Sequence, residues 1–181
     1  AGSTRLFPIN SASATMISFG DVVKLSSDGT VERDAGTTSA VPVGIFMGCT
    51  YTDATFGKVF RQSFPAATVA ADIQAYVADD PDLLFKVAVC SSGSTTISYL
   101  TRAAVGANVA IVNNTGITAT GSSRVAVLDS AAATSTLPLR IIDVNTESGN
   151  GTAGSYTEII VKWNGVTGTV GGHAYLQPTG I

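Results

Sequence analysis

Charge is the first thing this sequence is short of. Lys, Arg, Asp and Glu together make up 13 % of its 181 residues, about half the share in an ordinary soluble domain. Ser, Thr, Gly and Asn take the place of charge, as they do on surfaces that lie against other proteins and on exported β-proteins. The ten basic residues are scattered and the formal net charge is −3. There is no Arg/Lys cluster with interleaved aromatics, which argues against nucleic acid as a partner. No apolar run approaches the length needed to cross a bilayer, so no membrane partner is expected. The opening stretch AGSTRLFPINSASATM lacks a basic region followed by an apolar core, so no leader pattern is visible there.

Chemistry-bearing residues are equally sparse. There is one histidine, His173, and there are two cysteines, Cys49 and Cys90. Each cysteine sits in an apolar run and no CxxC occurs, so two buried thiols are expected rather than a disulfide or a zinc site. A catalytic or metal-binding histidine needs partners, and the small-residue setting of His173 favours a surface or interface role. No GxSxG and no GxGxxG is present. GCTYTDATFGKV places eight residues between Gly48 and Gly57, and Val59 stands where a phosphate loop needs Ser or Thr. Asn113-Asn114-Thr115 and Asn150-Gly151-Thr152 match the glycosylation pattern, which matters only in a secreted protein. No cofactor is expected, and the chain is not expected to be an enzyme.

What the sequence does have is a series of short β-like runs divided by turns. FGDVVKL (19–25) is followed by Asp28-Gly29, a hairpin signal. VPVGIFMGCTY (41–51), KVFRQSF (58–64) and Ala75 to Ala78 read as strands. LLFKVAVC (83–90) puts Leu83, Phe85, Val87 and Val89 on one face and Lys86 on the other. NVAIV (108–112), RVAVLDS (124–130), LPLRIIDV (137–144) and YTEIIVKW (156–163) follow. Asn164-Gly165 is the clearest hairpin signal, leading into VTGTV. No long helix is indicated. The fold class is all-β, an antiparallel barrel or sandwich-like domain with extended terminal arms. A similarity between 19–31 and 105–121 raises the possibility of two small related β units. The expected organisation is an N-terminal arm over 1–17, a core over 18–165 with a break near 91–105, and a C-terminal edge or arm over 166–181.

The densest acidic stretch, AYVADDPDLLFKV (75–87), carries Asp79, Asp80 and Asp82 around Pro81. A calcium loop spaces its oxygen ligands regularly and closes on a glutamate; Pro81 breaks that spacing and no acid follows. Adjacent Asp79 and Asp80 in a strand point to opposite faces, so they cannot act as a carboxylate pair across a substrate. Pro81 biases Asp80 toward extended backbone, and aspartates close turns by accepting amide hydrogen bonds. The stretch therefore reads as a corner between strands. The three aspartates are only weak candidates for a metal site.

Binding surfaces are expected at the termini. Leu6, Phe7 and Ile9 form an apolar triplet in a loose segment, which suits an arm that docks on its own domain or on a neighbour. His173, Tyr175 and Leu176 are the corresponding candidates at the other end.

FGDVVKL with its SDGTV hairpin, VGIFMGCTYTD, AYVADDPDLLFKVAV, and TGSSRVAVLDS followed by LPLRII occur in an order that resembles head decoration proteins of tailed bacteriophages. These are also called capsid-stabilising or cement proteins, and the likeness is nearest to those of short-tailed phages of marine bacteria. It spans roughly residues 19 to 163. The resemblance implies a structural protein on the outer surface of the virion, made in the host cytoplasm. It would bind the major capsid protein, self-associate on the shell, and stabilise the head against the pressure of packaged DNA. It implies no catalytic residues. A head-fibre or other minor capsid component is the alternative within virions, and a carbohydrate-binding β module is the alternative outside them.

Overall fold

The computed structural model describes residues 4–91, 95–145, 157–165 and 172–176. Eleven strands lie among them: β1 (Thr4–Pro8), β2 (Val22–Leu25), β3 (Val31–Arg33), β4 (Gly44–Asp53), β5 (Gly57–Arg61), β6 (Gln74–Ala78), β7 (Leu84–Cys90), β8 (Asn108–Val112), β9 (Ala126–Ala132), β10 (Leu139–Val144) and β11 (Glu158–Trp163). Arg102–Ala104 and Ala174–Leu176 form single 3-10 turns.

The strands make two sheets. The first has the order β1-β6-β4-β2-β3, with β5 added to the far half of β4. The second closes on itself as a five-stranded barrel, β10-β11-β7-β9-β8. All pairings between these strands are antiparallel except β7 with β9, which meet only at Val89–Val127 and Cys90–Leu128. The chain is thus mostly β, in two units, one of them a small barrel.

Strand alternation decides how the two units share a wall. Val22 and Val23 are neighbours on β2 and point to opposite faces. Val23 joins Val43, Phe46, Cys49, Tyr51, Phe64 and Val77 in the core of the first sheet. Val22 joins Val109, Ile111, Val127, Ile141, Ile159 and Trp163 in the barrel core. Phe46 and Ile45 divide in the same way. Fully burying each such side chain stabilises by roughly 1.5–3 kcal/mol.

A buried ion pair ties the units together. Asp21 accepts a hydrogen bond from the Ser18 amide at 2.8 Å and another from the Ser123 hydroxyl. The Arg33 Nε lies 3.3 Å from the same carboxylate, and Arg33 Nη2 donates to the Asn114 carbonyl at 2.8 Å.

This topology corrects two expectations, the N-terminal arm and the likeness of two hairpins. Residues 4–8 are not an extended arm: they pair residue for residue with 78–74 of β6. Backbone pairing there needs no hydrophobic periodicity, which is why the segment read as loose. The chain passes from the first sheet to the barrel between Ala78 and Leu84, and among the described residues Ile97 pairs back on Cys90 of β7 and Leu100 joins the barrel core. The similarity between 19–31 and 105–121 does not reflect two like hairpins. β2 pairs with β3 across a Gly29 turn, whereas β8 pairs with β9 and β10. Asn164 spends its side chain on the carbonyls of Ser135 and Leu137, at 3.0 and 2.9 Å, clasping that loop to the end of β11. VTGTV lies outside the described residues.

Candidate functional site

The acidic corner is where the two units join. Asp80 closes it: its side chain accepts the Asp82 amide at 2.9 Å and its carbonyl accepts the Leu83 amide at 3.2 Å. Asp79 keeps the alternation of β6, on the same face as Ala75 and Val77, and is 1 % exposed. Its carboxylate is met from both termini. Arg5 Nε approaches Oδ2 at 3.1 Å, and the Tyr175 hydroxyl donates to the same oxygen at 2.8 Å. The Arg5 guanidinium also lies 5.5 Å from the centre of the Tyr175 ring, a cation–π contact.

His173 sits behind this tie, fully buried. Its Nδ1 accepts the Tyr175 amide at 3.2 Å, and its ring packs edge-on against Tyr175 with centroids 5.0 Å apart. Trp163 follows at 6.0 Å, and Phe85 stands 5.1 Å from Trp163. Burial pushes the His173 pKa below 6.5, while a Val43 backbone hydrogen bond and the charges of Asp79 and Asp80 pull the other way. Burial and the bond to Asp79 push the Tyr175 phenol up to about 12.

The structure thus brings together Asp79, His173 and Tyr175, which the sequence places in separate arguments, and adds Arg5, which sequence reasoning missed. It does not bring the three aspartates together. Asp79 faces Arg5 and Tyr175, Asp80 closes its own turn, and Asp82 pairs with Lys162 at 2.6 Å. Among the described residues no group of three or more His, Cys, Asp or Glu side chains is placed to hold a metal ion. Ile9 is buried in the core of the first sheet with Phe7 half-buried against it, and His173 is buried beside Trp163 and Tyr175. Leu6, Tyr175 and Leu176 remain exposed.

Leu6 belongs to a larger surface. It stands opposite Tyr76 in the β1–β6 register. The Tyr76 ring lies 5.7 Å from that of Phe60 on β5. Phe60 reaches this position because β4 bulges at Met47–Gly48, where the register with β6 shifts. Gly48 holds φ at +123°, and a side chain there would meet the Phe60 ring at 2.9 Å. The result is an apolar stripe of Leu6, Tyr76, Met47 and Phe60 across the outer face of the first sheet. Leu6 is 55 % and Phe60 63 % exposed. The alternation of KVFRQSF was the signal for Phe60, but nothing in the sequence says which face stays uncovered.

The aromatic platform of a carbohydrate module is not formed at Trp163, which is buried. Cys49 and Cys90 are free and buried. The Asn113 side chain is engaged with the Gly36 carbonyl, and Asn150 lies outside the described residues.

No family model, no curated protein and no solved structure matches this chain. That corrects the vocabulary the sequence resemblance suggested: decoration or cement protein, bacteriophage, viral protein, virion and capsid stabilisation have no matched relative to rest on as labels of membership. The all-β description stands on the strands themselves.

Proposed function

We propose that the chain is a structural binding protein, not an enzyme, and that it acts by laying the outer face of its first sheet on another protein. The observation that carries this reading is the stripe of exposed Leu6, Met47 and Phe60 around a half-buried Tyr76, on an otherwise Ser/Thr-rich, low-charge surface. Apolar side chains grouped on one face and rimmed by polar residues mark interaction sites. Few charges then need to be desolvated on contact. A repeating protein lattice is the partner that suits such a modest patch, because many weak contacts add to large avidity. The lattice proposed is the outer surface of a phage head, built of its major capsid protein; its support is the order of sequence motifs alone.

Co-sedimentation with expanded heads tests the proposal. Saturable, stoichiometric binding is expected for the native chain. Phe60→Glu should lower the bound fraction severalfold while costing only about 1 kcal/mol of stability, the worth of its contact with the Tyr76 ring. Binding that is indifferent to Phe60→Glu would remove this face from the reading. Failure to bind any head would remove the lattice.

A further inference from the structure

A cavity of about 370 Å³ opens where the barrel meets the first sheet. Val22 and Ile45 line it from the sheet, and Phe85, Ile111, Leu139 and Trp163 line it from the barrel. Its existence follows from the topology. β7 is laced to β11 from Leu84 to Ala88 but reaches β9 only at Val89 and Cys90, so the barrel wall is widely open toward β2 and β4. Ile45, Phe85, Val87 and Val125 are left half-buried there, with apolar surface that neither unit covers completely.

Two features set the chemistry of an occupant. Lys86 and Glu158 also line the cavity and form an ion pair with each other, so they present no net charge to a guest. Trp163 is 3 % exposed, and its Nε1–H has no hydrogen-bond partner among the described residues. A buried donor left unpaired is costly, and a guest that brings an acceptor removes that cost. Apolar pockets of this size with one or two polar groups are the usual form of small-ligand sites.

We propose that this cavity binds a small, uncharged, mainly apolar molecule carrying one hydrogen-bond acceptor, and that the acceptor meets Trp163 Nε1–H. The site is independent of the exposed stripe on the sheet.

Trp163 is the chain's single tryptophan, so the ¹⁵N-labelled protein gives one indole cross-peak. Acetophenone is the probe, and ethylbenzene is its counterpart without the acceptor. Acetophenone should shift the indole cross-peak saturably and downfield, and should bind about tenfold tighter than ethylbenzene. Trp163→Phe keeps a ring but loses the donor; by calorimetry it should bind both probes with similar affinity. Val125→Phe fills the cavity and should bind neither. No saturable shift in a well-dispersed spectrum would overturn the proposal. So would equal affinity of the native protein for the two probes, or undiminished binding by a folded Val125→Phe variant.

Discussion

A carboxylate taken out of water must be held by donors, and Asp79 is held by two that come from opposite ends of the described chain, Arg5 and Tyr175. Removing one is informative. Tyr175→Phe should destabilise by about 1 kcal/mol, a figure kept low because Tyr175 is itself 41 % exposed. The phenol pKa, raised from 10 to about 12 in the folded protein, gives this contribution a pH signature. It is fully present below pH 10 and lost as pH rises toward 12, so urea midpoints of native and variant protein should converge across that window. His173 works in the acid direction. Its lowered pKa means that its contribution is present above pH 6.5 and lost as pH falls through the folded value. A His173→Gln variant should show a shallower acid decline in the same titration. Asp34 has the opposite sign to an ordinary surface carboxylate. Burial raises its pKa, so stability is lost as pH rises through it. Asp34→Asn should therefore gain on the native protein at neutral pH, and the two should draw level near pH 4. The sequence showed that Asp79 and Asp80 diverge. It could not show which faces inward, because that depends on the pairing of β6 with β1 and β4.

The strands that sequence alternation located best are those with one apolar face and one polar face. β7 matches its predicted run almost residue for residue, since the alternation of its apolar face with Lys86 leaves a direct trace; β8 matches on a different signal, a short apolar run that is buried throughout. β1 left none, because an edge strand such as this, ending at Pro8, is held by backbone pairing and by Arg5 reaching Asp79. The β4 bulge was also illegible: Met47-Gly48 reads as part of a continuous apolar run, and only the register shift reveals it. The bulge is open to test. Gly48→Ala must adopt a left-handed backbone and press on Phe60 and the Arg61 carbonyl, with an expected cost of about 1–3 kcal/mol in thermal unfolding. Combining it with Phe60→Ala removes the ring and should recover part, but not all, of that loss.

At the scale of the molecule, β2 and β4 serve two cores at once, so neither unit has a wall of its own to unfold behind. The two thiols give one reporter for each. Cys49 lies in the sheet core, and burial pushes its pKa up to about 11; Cys90 lies in the barrel, with its pKa also raised by burial. Both should resist thiol reagents in the native state and become reactive at the same urea concentration. Two separate midpoints would show that the shared wall does not couple the units.

The convergence on Asp79 also sets an order of events on the ribosome. Every strand of the first sheet is contained in residues 4–78, so this sheet has all its strands before the barrel has been synthesised. It nevertheless lacks Ala174 from its core and Tyr175 from its carboxylate until the last segment emerges. Once β6 has left the exit tunnel the sheet has all its strands, but Asp79 is supported by Arg5 alone and Val22 and Ile45 still lack the barrel that covers them. The strands of the striped face come first, and the bolt behind them is thrown after the barrel.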